Sequence, residues 1–248
     1  MIQFNDITKA FDGRTVLAGV SGTFQPSDTS LVIGGSGTGK SVLLKCLIGL
    51  IKPDNGKVLY NGRDFWNSDE ETRKDIRREM GVLFQGGALF DSKTVLENVR
   101  FPLDMLTQMS EDEKLDRANT CLTRVGLDHA VNRMPSEISG GMKKRVGIAR
   151  AIVMNPKYLF CDEPNSGLDP LTSIKIDELI KEITDEFKIT TVVITHDMNS
   201  VMEIGEKIMF LYKGHKLWEG DSTTITRSSV PELNEFIFAN KLLRDMKV

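Results

Sequence analysis

A glycine-rich segment near the start of the chain has the residue types and spacing of a phosphate-binding loop. Residues 34–41 read GGSGTGKS and fit the pattern G-x-x-x-x-G-K-[ST]. Glycines let backbone N–H groups turn towards phosphate oxygens, the lysine supplies a positive charge, and the serine hydroxyl can ligate Mg²⁺. A strand-turn-helix corner without a ligand is the simpler alternative. The predicted nucleotide contacts are Gly34, Gly35, Ser36, Gly37, Thr38, Gly39, Lys40 and Ser41.

Two adjacent carboxylates follow an apolar segment later in the chain, where residues 157–164 read KYLFCDEP. Ligands of open α/β sheets bind beyond the carboxyl ends of the strands, so both acids are expected beside the nucleotide. We predict that Asp162 holds Mg²⁺ through the hydration shell of the ion, and that Glu163 orients and deprotonates the attacking water. The alternative is a turn that ends the strand with two solvated acids.

Two further polar residues follow apolar segments that have the pattern of strands. Gln85 follows GVLF and is expected to reach the metal and the water, while His196 follows TTVVIT and is expected to contact the γ-phosphate. A lone histidine at a strand end is more often structural than catalytic, so this prediction depends on its position at the nucleotide edge. The predicted catalytic residues are Glu163, His196 and Gln85. The predicted metal ligands are Ser41, Gln85 and Asp162.

A second anion-binding helix start lies at residues 139–142, which read SGGM. Ser139 is a candidate N-cap, and Gly140 and Gly141 expose backbone N–H groups where the helix dipole favours an anion. Because the chain has one phosphate loop, we expect the turn from Ser139 to Met142 to complete the site of a second copy. Two copies head to tail would then enclose two ATP molecules. In the alternative, the two glycines simply pack against a neighbouring helix.

The segment just past Glu163 is predicted to carry signals between the two sites of such a dimer. Its residues are Ser166, Gly167, Leu168 and Asp169.

The composition is that of a globular protein without a strong charge bias. The chain has 248 residues, of which 40% are hydrophobic and 27% charged, and its net charge is −3. This balance predicts one α/β domain and argues against nucleic acid as a partner. The three cysteines are widely spaced, so neither a disulfide framework nor a metal-ligand cluster is expected. We also expect no signal peptide and no membrane-spanning segment.

Short apolar runs alternate with helical patterns, which predicts strands joined by crossover helices in a mostly parallel sheet. The predicted strands are residues 30–33, 57–60, 81–84, 157–161 and 190–195. The predicted helices are residues 41–50 and 70–79, with more in a helical insert at 91–155. Ser229-Val-Pro-Glu232 fits a capping box for a tail helix that packs on its own domain or on a dimer mate. The apolar stripe of that helix is Leu233, Phe236, Ile237 and Leu243.

The chain resembles the nucleotide-binding subunit of ABC transporters. The resemblance depends on six elements in this order: GGSGTGKS, Gln85, ISGGM, LFCDEP, SGLD and His196. The resemblance implies an α/β P-loop NTPase with a RecA-like core, an ABC-type antiparallel β subdomain and an α-helical insert. It also implies ATP and Mg²⁺ as cofactors, a homodimer with composite sites, and a stacking contact between Phe11 and adenine. The implied domains are an ATPase domain at 1–220, with its core at 1–90 and 156–220 and its insert at 91–155, and a helical tail at 221–248.

Two longer segments resemble the ATPase of Mla/Mce-type lipid transporters: residues 82–103, VLFQGGALFDSKTVLENVRFPL, and residues 136–152, SEISGGMKKRVGIARAI. Met142 stands where most of the superfamily has Gln, and the chain also departs from the common pattern at Ile138, usually Leu, and Asn165, usually Thr. This resemblance implies phospholipid transport between membranes. The implied partners are an integral-membrane permease and an Mce-type lipid-binding protein, with the ATPase at the cytoplasmic face of the inner membrane.

The apolar residues Leu89, Phe90 and Val95 lie, by the same resemblance, near a groove that receives a cytoplasmic helix of the permease. In the alternative, they anchor the insert to the core.

The main rival function is an ABC-type ATPase that powers an assembly or repair machine without a permease, and a different transported substrate is also open. A tandem translation factor would need two phosphate loops in the chain. A nucleic-acid-linked type would be expected to show a long coiled-coil insert or a basic surface. A small-molecule kinase would lack the SGG helix.

Overall fold

The structure, a computed structural model, describes residues 1–238. In chain order, its strands are β1 (Ile2–Phe11), β2 (Arg14–Phe24), β3 (Thr29–Ile33), β4 (Asn55–Tyr60), β5 (Arg63–Asp64), β6 (Met80–Leu83), β7 (Tyr158–Asp162), β8 (Thr190–Thr195), β9 (Lys207–Tyr212) and β10 (His215–Gly220). Its helices are α1 (Lys40–Leu47), α2 (Glu70–Arg78), α3 (Val95–Leu106), α4 (Glu111–Arg124), α5 (Gly140–Ile152), α6 (Pro170–Phe187), α7 (Met198–Ile204) and α8 (Pro231–Ile237).

The larger sheet has the strand order β10-β9-β3-β8-β7-β6, and all its pairings are parallel except that of β9 with β10. Every residue of β3, β7 and β8 is buried, as expected for parallel strands covered on both faces. Ile33 pairs with Thr195, and Asp162 pairs with Ile194. The carboxyl ends of these strands therefore meet at one edge of the sheet, where the polar residues that follow them collect.

The smaller sheet is antiparallel and has the strand order β2-β1-β4-β5. Its inner face contributes Phe4, Phe24 and Tyr60, which are fully buried beside α1 residues such as Leu43 and Leu47. The two sheets and the helices between them form an α/β architecture with a separate antiparallel sheet, as the family resemblance implies.

Helices α3, α4 and α5 fall within the segment predicted as a helical insert. Thr94 begins α3 with a capping box that includes Glu97, and Ser110 begins α4 in the same way with Glu113. Helix α5 packs closely on the sheet, because a Cβ at Gly147 would lie 2.6 Å from Leu83 Cδ1. The helix that starts with SGGM is thus fixed against the strand that precedes Gln85.

The predicted strands of the main sheet lie within two residues of the observed ones, whereas helix α1 ends earlier than predicted. Gly49 has a φ of 80°, and a Cβ there would lie 2.3 Å from the Phe65 ring. The left-handed backbone of Gly49 ends the helix, and the Phe65 ring leaves no room for a side chain at this position.

The predicted capping box at Ser229 is wrong. Helix α8 has Val230 at its N-cap without a side-chain cap, and the Ser228 hydroxyl instead accepts from the Val230 N–H at 3.1 Å. Leu233 and Ile237 are fully buried in the core of their own chain, which confirms the first of the two packing alternatives for this part of the tail. Leu243 lies outside the described residues.

None of the helices within residues 1–238 has the length and apolar character that a membrane span requires.

Candidate nucleotide-binding site

The predicted phosphate loop connects β3 to α1, and its backbone shape depends on glycine. Gly34 and Gly39 have φ values of 148° and 107°, which L side chains rarely adopt. A Cβ at Gly34 would lie 2.3 Å from the Leu211 carbonyl oxygen, and one at Gly39 would lie 2.8 Å from Leu17 Cδ2. Gly37 also has positive φ, but within residues 1–238 no atom outside its two chain neighbours lies within 4 Å of its Cβ position. The loop is therefore closely packed on the protein side and open on the side where an anion would bind.

The Lys40 side chain lies along this loop and is only 7% exposed. Its Nζ donates to the carbonyl oxygens of Gly34 at 2.8 Å and Gly35 at 2.9 Å. Burial lowers the pKa of Lys40, and the negative charges of Glu163 and Asp162 oppose that shift. An ammonium group has three donors. One of them is left for a phosphate oxygen after the two loop carbonyls are satisfied.

Asp162 fits a role in binding a hydrated Mg²⁺ ion. It is 8% exposed, and its Oδ1 is buried without a hydrogen-bond partner among the described residues. Burial raises the pKa of Asp162, as does the charge of Glu163, while Lys45, Lys40 and a hydrogen bond with Ser41 lower it. Residues 1–238 contain no cluster of three or more His, Cys, Asp or Glu that could hold a metal. Mg²⁺ usually keeps several waters and is bound by one or two carboxylates together with substrate phosphates.

Glu163 and His196 form a pair at the sheet edge. His196 Nδ1 lies 2.8 Å from Glu163 Oε2, and the Glu163 N–H donates to the Ile194 carbonyl at 2.9 Å. Glu163 has a φ of 49°, a left-handed conformation that costs a residue with a Cβ about 1–2 kcal/mol. Backbone strain of this kind is concentrated at functional sites. The backbone of the predicted general base is thus held by strand β8, and its carboxylate is held by the imidazole of His196.

A cavity of about 820 Å³ brings most of the predicted site residues together. From the phosphate loop it is lined by Gly35, Ser36, Gly37, Lys40 and Ser41, and from the strand ends by Gln85, Glu163 and His196. Gly34, Thr38, Gly39 and Asp162 are not among its lining residues. Thr38 instead shapes the loop, since its hydroxyl donates to the Gly35 carbonyl at 3.0 Å.

Phe11 is not part of this lining, and its role stays a prediction. It is the last residue of β1 and is 41% exposed. Lys9 Nζ lies 5.4 Å from the centroid of its ring. The ring is therefore accessible to a planar base.

The SGGM turn lies in a different cavity, of about 390 Å³, together with Gly167, Leu168 and Asp169. Ser139 is the N-cap of α5 and accepts from the Met142 N–H at 3.3 Å. A Cβ at Gly141 would lie 2.7 Å from Thr172 Cγ2, so contact with helix α6 explains this glycine. Gly140 has no such constraint, because the nearest atom to its Cβ position is 3.6 Å away.

Gly167 and Leu168 line both cavities, so the predicted inter-subunit loop separates the SGGM turn from the phosphate loop.

Lys144 is a residue at the site that the sequence reasoning missed. It is buried on α5, and its Nζ donates to the Glu163 carbonyl at 3.0 Å and to the Ser166 hydroxyl at 3.2 Å. Burial lowers the pKa of Lys144. Its spacing from the apolar residues Ile148 and Ala151 places it on the buried face of the helix. This spacing is the sequence pattern that could have indicated the burial of Lys144.

The phosphate loop between a parallel strand and a helix, with two carboxylates at a neighbouring strand end, defines a P-loop NTPase. The antiparallel sheet and the helical insert with its SGGM turn define an ATP-binding cassette. In agreement, a family profile described as ABC transporter matches residues 17–166. The chain belongs to this family, and it is the ATP-hydrolysing motor subunit of an ABC transporter.

Several curated relatives carry the names of transport ATPases. The "Probable ribonucleotide transport ATP-binding protein mkl" of Mycobacterium tuberculosis is 36% identical over 97% of this chain and 67% of its own length. The chloroplastic protein TRIGALACTOSYLDIACYLGLYCEROL 3 of Arabidopsis thaliana is 38% identical over 95% of this chain and 73% of its own length. Methionine import ATP-binding protein MetN of Corynebacterium diphtheriae is 41% identical over 86% and 64%, respectively. The chain thus spans about two thirds of the length of these relatives.

Solved structures of ATP-binding cassettes share the fold over nearly the whole chain. The cassette MJ0796, in a dimeric post-hydrolysis state with ADP and Pi bound, has a TM-score of 0.81 and 33% identity over 90% of this chain and 99% of its own. The cbiO1 subunit of an ABC transporter complex from Clostridium perfringens has a TM-score of 0.85 and 27% identity over 100% of this chain and 98% of its own.

Proposed function

We propose that two copies of this chain bind head to tail and enclose two ATP molecules, each between the phosphate loop of one copy and the SGGM turn of the other. The observation that carries this proposal is the separation of the two anion-binding elements. Each lines its own cavity within one chain, although both present backbone N–H groups to an anion. A structural relative is itself a dimer with hydrolysis products bound.

The proposed roles of the site residues are consistent with their positions. Lys40 and the loop amides bind the β- and γ-phosphates, and His196 contacts the γ-phosphate while its Nδ1 holds the Glu163 carboxylate. Glu163 takes the proton of the attacking water. Ser41, Gln85 and Asp162 would hold Mg²⁺, which neutralises phosphate charge when bound. Because only the closed dimer completes both sites, ATP shifts the population towards that state, and hydrolysis reverses the shift. This cycle would drive the permease.

The proposed cargo is a phospholipid, moved with an integral-membrane permease and an Mce-type lipid-binding protein at the cytoplasmic face of the inner membrane. Support for a phospholipid comes from the two Mla/Mce-like segments. The Arabidopsis relative carries the name of a galactolipid, which contains no phosphate, so it supports a diacylglycerol-based lipid in general. Ribonucleotide and methionine, which appear in the names of the other relatives, are the competing cargoes.

Purification of the native complex tests this assignment. Co-purification with a multi-span permease and an Mce-type protein, with extractable phospholipid, supports it. A permease without the Mce-type protein would favour another cargo, and no membrane protein at all would favour a soluble machine.

A groove of about 310 Å³ between the core and the helical insert is the proposed contact with the permease. Phe90 and Phe101 lie in it with their ring centroids 4.6 Å apart, and Phe90 is 40% exposed. Val95 is fully buried and Leu89 packs against the core, so these two residues follow the alternative in which they anchor the insert. Arg77 and Arg78 also line the groove. A short apolar helix with an acidic residue would match this combination.

Phe90→Ala is expected to uncouple ATP hydrolysis from the permease without reducing hydrolysis by the isolated chain. The substitution removes an exposed aromatic anchor, and such anchors contribute about 2 kcal/mol or more at interface hot spots. The measurement is retention of the chain on detergent-solubilised permease. Phe187→Ala is the matched control, since Phe187 is 41% exposed but lines none of the three cavities described above. Equal retention of both variants would contradict the docking proposal.

Phe11→Ala is expected to weaken ATP binding about tenfold, since stacking of a base on an aromatic ring contributes about 1–3 kcal/mol. Phe11→Tyr keeps the ring and should bind ATP as the unmodified chain does. Calorimetric titration of ATP measures both. An unchanged Kd for the alanine variant would remove Phe11 from the site.

A further inference from the structure

A buried polar cluster connects three segments around the nucleotide cavity. Asp177 on α6 is 1% exposed, and its Oδ2 accepts from Asn165 Nδ2 at 2.8 Å and from the Ser200 hydroxyl at 2.7 Å. Asn165 Nδ2 also lies 3.0 Å from Ser200 Oγ. Each of the three side chains therefore contacts the other two.

Keeping these polar groups in the core costs free energy. Asp177 Oδ1 and Asn165 Oδ1 are both buried without a hydrogen-bond partner among the described residues. Burial raises the pKa of Asp177 to about 6. The neighbours Ile176, Ile180 and Val201 belong to the main apolar core. Because two of its buried acceptors are left unsatisfied, the cluster is weak evidence of a gain in stability.

The positions of the three residues indicate what the cluster holds. Asn165 lies two residues after Glu163 and lines the nucleotide cavity. Ser200 lies on α7, which begins two residues after His196. Asp177 lies on α6, which follows the predicted inter-subunit loop. The cluster thus joins the loop of the proposed general base to the helix that follows its histidine partner.

We propose that Asp177 is a positioning residue, which fixes the Glu163–His196 pair by binding Asn165 on one side and Ser200 on the other. The proposal rests on the proposed roles of Glu163 and His196. Asp177 touches neither the nucleotide cavity nor the reacting atoms. It acts by holding the segment of Asn165 and the helix of Ser200 at a constant separation. The Asn165 amide group contacts both Asp177 and Ser200.

Asp177→Leu tests this role, because it removes the acceptor while keeping the branched shape of the side chain. We expect kcat for ATP hydrolysis to fall about tenfold to a hundredfold, as misplacement of a reacting group can cause. The KM for ATP should change by no more than about twofold, since the phosphate loop is untouched. Asp177→Asn should restore most of kcat, because its carbonyl oxygen still accepts from both partners.

The matched control is Thr184→Val, which removes another buried polar group of α6. The Thr184 hydroxyl bonds to the Ile180 carbonyl and to the Thr191 hydroxyl, about two helical turns away from Asp177. Its kcat should equal that of the unmodified chain, even if its thermal unfolding midpoint changes. If Asp177→Leu does not fold, Ser200→Ala is a milder variant that can be measured instead. It should also lower kcat.

A second readout does not depend on hydrolysis. The chain has three histidines, so ¹⁵N-labelled imidazole resonances can be separated by nuclear magnetic resonance. Asp177→Leu should move the His196 Nδ1 resonance towards its value in Glu163→Gln, and Thr184→Val should leave it unchanged. This result would stand even if Glu163 were not the general base, which separates a failure of the present proposal from a failure of the proposed function.

Unchanged kcat and an unchanged His196 resonance in both Asp177→Leu and Ser200→Ala would overturn the proposal. A loss of kcat that simply follows the unfolding midpoint across all variants, including Thr184→Val, would overturn it as well. The cluster would then be a structural feature of the core.

Discussion

Glu163→Gln is expected to bind ATP with nearly unchanged affinity but to lose hydrolysis by a factor of about 10²–10⁴, the usual contribution of a general base. The amide is isosteric with the carboxylate and leaves Lys40 and the phosphate loop intact, but it cannot take a proton from water. Because hydrolysis is the step that reopens the sites, the variant should accumulate as an ATP-dependent dimer. Size-exclusion chromatography with and without ATP detects the dimer, and phosphate release measures the rate.

The matched control is Glu178→Gln, which changes an exposed glutamate on α6. It should hydrolyse ATP at the normal rate and form no stable dimer. If Glu163→Gln hydrolyses ATP as fast as this control, Glu163 is not the general base.

Lys40→Ala is expected to abolish measurable ATP binding. The ammonium group is held over the loop by the carbonyl oxygens of Gly34 and Gly35, so it is already placed for the phosphates. Its loss removes a charge-assisted hydrogen bond of about 1.5–3 kcal/mol. It also leaves the loop carbonyls facing an anion, so the affinity should fall by about a hundredfold or more.

Isothermal titration calorimetry measures this change directly. Lys52→Ala, which removes an exposed lysine beyond helix α1, should bind ATP normally. An unchanged ATP affinity in Lys40→Ala would remove the loop from the nucleotide site. Thermal unfolding of both variants without nucleotide shows whether the loop still folds.

The main sheet was predictable because its strands are short apolar runs that end in glycine or polar residues. Strands β3, β7 and β8 are buried on both faces, so almost every side chain in them is apolar or threonine. Strands β1 and β2 lack this signal, since both are partly exposed and their pairing shifts register after Phe4, Ile7 and Lys9. The antiparallel subdomain was therefore expected from family resemblance alone.

The site residues that lie at the end of a strand or at the start of a helix were predictable, because each of these residue types performs one chemical task there. Gln85, Glu163 and His196 meet the phosphate loop in one cavity because they follow parallel strands. Lys144 and the Asn165–Asp177–Ser200 cluster were not predicted, since their partners are distant in sequence. A polar residue inside an amphipathic helix does not show which loop it contacts.

Local capping signals were less reliable where the tertiary structure offers other partners. Ser229 and Glu232, for which the sequence predicts a capping box, do not form one, whereas Ser110 and Glu113 do in the structure. In the tail, Ser228 makes the local bond, and the Asn234 side chain donates to its carbonyl at 2.9 Å. The burial of Leu233 and Ile237, rather than the cap, positions this helix.

The division of each site between two copies can be measured by dilution of the isolated chain. Specific ATPase activity is followed against protein concentration, and analytical ultracentrifugation with ATP gives the fraction of dimer at each point. Because the SGGM turn lies outside the phosphate-loop cavity of its own chain, activity per chain should fall in proportion to the dimer fraction. Full activity at concentrations where only monomer sediments would show that one chain contains a complete site.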